Sequence, residues 1–177
     1  RIQFGLVTEK DAGEPFWNEY HKGYDYYSIH LFLKDMNKWL KSLAVGDYKI
    51  SFGQGLVISN DFSPSRNALV SQAERRTNGF RRHFSTNEND FFRGAAATVN
   101  WQKLDISLFY SYRKLDGSVD STIVASFKTD GLHRLVRDRE KMRKVGMQTY
   151  GGNIRYATPD LCIGLTALSY SFGDCSI

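Results

Sequence analysis

Proline is scarce in this sequence, three in 177 residues, and cysteine scarcer, with only Cys162 and Cys175. Two cysteines build no disulfide framework and match no zinc-ligand spacing. They are not expected to bond each other. If 161–172 is one strand, about 13 residues at roughly 3.3 Å each hold them about 40 Å apart, against the roughly 4.4–6.8 Å a disulfide spans. Long apolar runs are missing too. None approaches the roughly 20 residues of a spanning helix, which excludes a helical membrane protein. Membrane strands stay open, because alternation keeps mean hydropathy low, and here it is -0.44.

Signatures of chemistry are also lacking. His21, His30, His83 and His133 show neither HExxH nor His-x-His spacing, so no metal site is expected. The acidic run from Asp11 to Glu14 lacks the calcium-loop pattern and reads as solvated loop. The "GQG" at 53–55 is not followed by a helix carrying Lys-Ser/Thr, so no phosphate loop and no cofactor are expected. His30, Asp105 and Ser107 would face one interior in a barrel, and some barrels are hydrolases. Polar residues line barrel interiors anyway, so a non-enzymatic protein is expected. No internal repeat or low-complexity linker divides the chain, and one domain covering 1–177 follows.

What the sequence has is aromatic residues, 14% in all, with 10 Tyr and 12 Phe, a profile that suits strands. Alternating runs mark strands at about 1–9, 24–35, 39–58 (a broken run), 91–101, 104–115, 147–157 and 161–172. The connections sort by length. Met36-Asn37-Lys38, Gln102-Lys103 and Thr158-Pro159-Asp160 are tight, whereas about 10–23, 59–90 and 116–146 are long. Soluble meanders have no reason to alternate in this way; outer-membrane barrels do, with short turns on one side and long loops on the other.

The faces agree. In 104–113, Leu104, Ile106, Leu108, Tyr110 and Tyr112 share one face, opposed by Asp105, Ser107, Phe109, Ser111 and Arg113. Tyr27, Ile29, Leu31 and Leu33, and again Tyr150, Gly152, Ile154 and Tyr156, repeat the pattern. Lipid outside and a polar interior produce such strands, but so does a sandwich with one buried face. Aromatic placement favours lipid. Tyr24, Tyr26, Tyr27, Phe91, Phe92, Tyr110, Tyr112, Tyr170 and Phe172 fall at the long-loop end, and Trp39, Trp101 and Tyr156 at the other, as interfacial girdles do, although some of these side chains point inward. The phase breaks once: Leu43 and Val45 oppose Tyr48, Ile50 and Phe52, which calls for a bulge or bend near Gly46.

"AVGDYKISFGQGLVIS", "NENDFFRGAAATV" and "TYGGNIRY" resemble, in order, segments of a Gram-negative family of helix-hairpin-helix domain-containing proteins. In that family a short DNA-binding-type helical module precedes an outer-membrane barrel. The resemblance implies a barrel and an outer-membrane location. It does not extend to the helical module, and the family motif contributes no catalytic residues.

The net charge of +5 concentrates in two long connections. Arg66, Arg75, Arg76, Arg81 and Arg82 lie in one; Arg134, Arg137 and Arg139 lie in the other, where Leu132, Leu135 and Val136 fall at helical spacing. Both belong to the long-loop end. They fit an anionic contact such as lipopolysaccharide phosphate, an acidic solute or nucleic acid. They equally fit a solvated loop paired with acids such as Asp61, Glu88 and Asp90. Only Phe80 and Phe84 interleave with the arginines, too few to argue base stacking.

The expected protein is therefore an all-β antiparallel meander of about 7–8 strands, an outer-membrane β-barrel or part of one. Its expected role is non-enzymatic: pore, anchor or envelope assembly component. The alternative is a soluble β-sandwich or small barrel that binds a ligand or an anionic polymer. Roughly seven strands leave two open edges, since barrels close with even numbers from 8 upward. The first strand begins at residue 1 and the last ends at "SFGDCSI". A piece of a longer chain is expected, its edges paired by flanking strands, by another chain, or by a hidden strand such as "SVDSTIVASFK" at 118–128.

Overall fold

The computed structural model describes residues 1–10, 12, 17, 23–24, 26–60, 79–120, 123–129, 131 and 135–173. Seven strands follow one another as an antiparallel meander: β1 (Ile2–Glu9), β2 (Tyr26–Lys34), β3 (Leu40–Ser51), β5 (Phe92–Trp101), β6 (Leu104–Leu115), β9 (Val145–Ala157) and β10 (Cys162–Phe172). A short β4 (Gly79–Arg82) pairs only with β3. The sheet is open, with β1 and β10 as its edges among the described residues. The all-β class and the antiparallel order agree with the sequence pattern, and β6 starts and ends where alternation starts and ends.

Local chemistry makes the tight turns. Asn37 Oδ1 accepts from the amides of Trp39 and Leu40 at 2.9 and 2.6 Å, closing the β2–β3 turn. Gln102 takes the left-handed backbone (φ 58°) in the two-residue turn before β6. Thr158 holds the β9–β10 turn through Leu161, whose amide donates to Thr158 Oγ1 at 3.1 Å. All three turns lie at one end of the sheet, and the long connections lie at the other.

The 116–144 connection is not featureless. The segment suggested as a hidden sheet strand forms instead a separate hairpin, β7 (Gly117–Asp120) with β8 (Ile123–Phe127). It cannot serve the open edges, because Lys128 N bonds Asp116 O at 2.9 Å and Gly117 N bonds Lys141 O at 2.9 Å, tying it to its own connection. Phe127 packs on Phe172 at the end of β10, ring centroids 5.5 Å apart. The short helix α1 (Val136–Arg139) follows the hairpin and is joined to it by a Lys128–Asp138 ion pair at 3.5 Å.

Strand register sorts residues into cross-strand rows. On the inner face, the row Phe32–Ala44–Ala96–Phe109–Gly151–Leu168 alternates rings with small residues. Next toward the long-loop end comes Gly5–His30–Gly46–Gly94–Ser111–Thr149. The irregularity anticipated near Gly46 falls instead between Leu40 and Ser42, and the register of β3 on β5 runs unbroken through Gly46, whose φ is 92°. Beyond it β3 leaves β2 and takes β4 as its neighbour on that side. A Cβ on Gly46 would lie 2.2 Å from Ile29 O, so only glycine permits this close approach.

The core consequently sits on the inner face. Phe80 of β4 packs edge-on against Tyr48 and Phe52 and reaches Phe109, two strands away from β3, at 6.3 Å between centroids. The end of β3 and the whole of β4 are thus folded over the inner face, and Ile50, Ile58, Ala44 and Ala96 complete the cluster.

Candidate functional site

Two surfaces and one charged cluster stand out. The outer face of the sheet is apolar in four successive rows: Trp101–Leu104–Tyr156–Ile163, then Val99–Ile106–Ile154–Leu165. Above them run Ile2–Leu33–Leu43–Ala97–Leu108–Gly152–Ala167 and Phe4–Leu31–Val45–Ala95–Tyr110–Tyr150–Ser169. These rows hold no charged residue. Nothing among the described residues covers them, so Phe4 is 69% exposed, Leu108 65% and Leu165 71%. From Leu104 to Tyr110 on β6 the band rises roughly 20 Å along the strand.

The opposite face collects the polar groups. Thr98 and Ser107 share a hydrogen bond at 2.9 Å, and Asn153 Nδ2 donates to Thr166 Oγ1 at 2.8 Å. At the tight-turn end Asp105 accepts from Lys41 Nζ (2.7 Å) and Asn100 Nδ2 (2.8 Å), with Arg155 Nη1 at 3.9 Å. His30, Asp105 and Ser107 are not brought together. His30 is level with Ser111, four residues along β6 from Ser107 and six from Asp105, or roughly 13 and 20 Å.

A buried charged cluster lies where β3 and β2 separate. Arg93 donates to both oxygens of Asp47, Nε to Oδ1 at 2.7 Å and Nη2 to Oδ2 at 2.8 Å, and Asp47 is fully buried. The same Nη2 donates to Tyr27 O at 2.7 Å, serving a β2 carbonyl beyond the end of its ladder with β3. Arg113, also buried, donates to the carbonyls of Glu88 (2.7 Å), Asn89 (2.8 Å) and Phe91 (2.6 Å), and its guanidinium lies 4.2 Å from the Phe91 ring centre. On that ring His83 stacks at 4.7 Å. Burial, reinforced by the Lys49 ammonium, pushes the His83 imidazole down to about 4. A cavity of about 60 Å³ adjoins Arg113 and Phe91, room for a couple of water molecules and no larger ligand.

Of the arginines singled out from sequence, Arg81 and Arg82 end β4 and are exposed. Arg82 lies 5.2 Å from the Phe84 ring centre. Arg137 and Arg139 belong to α1. Arg66, Arg75, Arg76 and Arg134 fall outside the described residues. Both arginine pairs sit in connections at the same end of the sheet. Sequence reasoning passed over Asp47 and Arg93, and placed Arg113 on the polar face of β6 without giving it a role. A signal existed for Arg113, which shares the inner phase of β6 with Ser107, Phe109 and Ser111. Of the expected aromatic girdle at the long-loop end, Tyr26, Phe91 and Phe92 turn inward and Tyr170 and Phe172 share the inner phase of β10, leaving Tyr27, Tyr110 and Tyr112 outside. No family model, curated protein or solved structure matches this chain.

Proposed function

We propose that this chain is a non-enzymatic outer-membrane β-barrel region whose outer face lies against lipid. The observation that carries it is the inversion of faces. In the four rows nearest the tight turns the exposed side is apolar and uncharged, while the Asp105 ion pairs, hydroxyls and amides lie on the side that holds the core; the outer-side Asp47–Arg93 pair stands one row beyond, toward the long-loop end. A soluble sheet has its apolar side covered, because large open apolar patches are rare in water. The loop sorting, tight turns at one end and long connections at the other, supports the same reading.

Among pore, anchor and assembly component, the inner face favours an anchor or a plugged barrel. Phe80, Tyr48 and Phe52 fill the inner face at the level of Phe109, where an open channel would carry water. The exposed arginines Arg81, Arg82 and Arg137 at the long-loop end, with the half-buried Arg139 on α1, suit lipopolysaccharide phosphates. The resemblance to helix-hairpin-helix domain-containing proteins belongs to the same proposal: this would be their barrel region, with flanking strands completing it. The runner-up, a soluble sandwich or small barrel binding an anionic polymer, needs a second layer over Leu108 and Leu165.

Neighbouring residues on opposite faces test it. Leu108→Arg and Leu165→Arg should each weaken assembly into liposomes by about 2–4 kcal/mol, and Thr166→Arg, on the inner face, by clearly less. If the two leucine variants assemble as well as the unaltered protein and stay folded without detergent, the lipid reading is wrong.

A further inference from the structure

A buried histidine closes the seam between the folded-over segment and the sheet. His83 follows β4 directly and meets groups from β2, from β3 and from the chain that follows it. From β2, the Tyr26 hydroxyl bonds its Nε2 at 2.9 Å. From β3, Asp47 O accepts from its amide at 3.1 Å, and the Asp47 carboxylate and Lys49 ammonium are the charges that face it. Ser85, Asp90 and the stacked Phe91 ring come from the chain that follows. Arg93 of β5 and Arg113 of β6 lie 5.3 and 4.2 Å from the centre of that same ring.

The carboxylates facing it are already engaged. Asp47 is held by Arg93, and Asp90 by Lys49 at 3.4 Å and by Asn60. Nδ1 makes no well-formed hydrogen bond. The site suits a neutral imidazole. A proton on it would add a cation to a buried place that already holds two guanidinium groups against one ring.

We infer that His83 is an acid-operated latch: neutral, it keeps Gly79–Phe84 folded over the inner face, and protonation releases that segment and uncovers the sheet beneath Phe80. The sign follows from linkage. The closed imidazole titrates at about 4 and the released one near 6.5, so below 6.5 the released state binds more protons. Release is therefore flat above pH 6.5 and grows easier down to about pH 4, by up to about tenfold per pH unit and about 300-fold in total. The latch operates whatever covers the outer face, so its failure would leave the lipid reading untouched.

Hydrogen exchange of the Phe80–His83 amides in the whole chain tests it, over pH 7 to 4.5 and corrected for the intrinsic rate. The local opening constant should rise by about 40-fold between pH 6.5 and 4.5, while the Ser107–Phe109 amides of β6 stay flat. In His83→Gln, whose side-chain amide can donate to or accept from the Tyr26 hydroxyl but does not titrate, the rise should disappear. An unchanged slope in that variant, or a flat profile in the unaltered protein, overturns the latch. Should His83→Gln fail to fold, NMR titration of the unaltered imidazole decides: a midpoint near 4 supports the latch and one near 6.5 overturns it.

Discussion

Removing Arg93 should damage the fold more than removing the carboxylate it serves. The carboxylate of Asp47 has no exposed surface, whereas the Arg93 side chain keeps 45% of its own. Arg93→Met therefore strands a buried anion that has lost two charge-assisted hydrogen bonds, and it also removes the donor to Tyr27 O. Breaking one side of a buried pair costs about 3–5 kcal/mol, and this case belongs at the low end because Arg93 is partly solvated. Asp47→Asn leaves a guanidinium able to turn toward water, so about 1–2 kcal/mol is expected. In Arg93→Met/Asp47→Asn the stranded anion is gone, and the double variant should be more stable than Arg93→Met alone by about 1–2 kcal/mol. Urea unfolding followed through Trp39 and Trp101 reads all four corners of the cycle. Additive losses, or an Arg93→Met cost below about 1 kcal/mol, would show that the carboxylate is not held as the geometry requires.

Two further substitutions probe how the folded-over segment is positioned. Gly46→Ala should cost about 3 kcal/mol or more, combining strained backbone with a clash against Ile29 O, whereas Gly53→Ala should cost only about 1–2; Gly53 also has positive φ (55°) but open space at its Cβ, and equal urea midpoints for the two would refute the close approach. Arg113→Lys loses the planar fork that spans three carbonyls, so it should destabilise by about 2 kcal/mol and speed amide exchange at Glu88–Phe91; exchange unchanged there would mean that the loop is held by something else.

The strand ladder was legible because membrane-type and soluble strands alike write their alternation locally. In β6 every second residue from Leu104 to Tyr112 is apolar, and two-residue periodicity needs no knowledge of the partner. The broken phase in β3 misplaced its irregularity, which falls between Leu40 and Ser42 rather than near Gly46. What escaped was whatever depends on partners far along the chain. β4 is four residues, two of them arginines, and reads as loop charge. It becomes a strand only because β3 runs on past β2 and leaves Tyr48–Ser51 in need of partners. Asp47 and Arg93 fall by alternation on the outer side of their strands, where an isolated charge looks like a flaw. Only their register, opposite each other with β2 withdrawn, makes them a pair.

Direction adds a constraint that spacing alone does not contain. Each neighbour in the path β1-β2-β3-β5-β6-β9-β10 is antiparallel to the last, so the two edges run the same way. Bringing β10 onto β1 would put a parallel pair into an antiparallel meander. A second copy in the same orientation meets the same obstacle, since it too offers β1 to β10. Open edges in lipid leave amides and carbonyls without partners, at several kcal/mol for each group. If the outer face lies in a membrane, an odd number of further strands must stand between β10 and β1, and the smallest closed barrel has eight. That count agrees with the even strand numbers of single-chain bacterial barrels. The β7–β8 hairpin cannot close the sheet by itself, because two is even, and it is tied to its own connection.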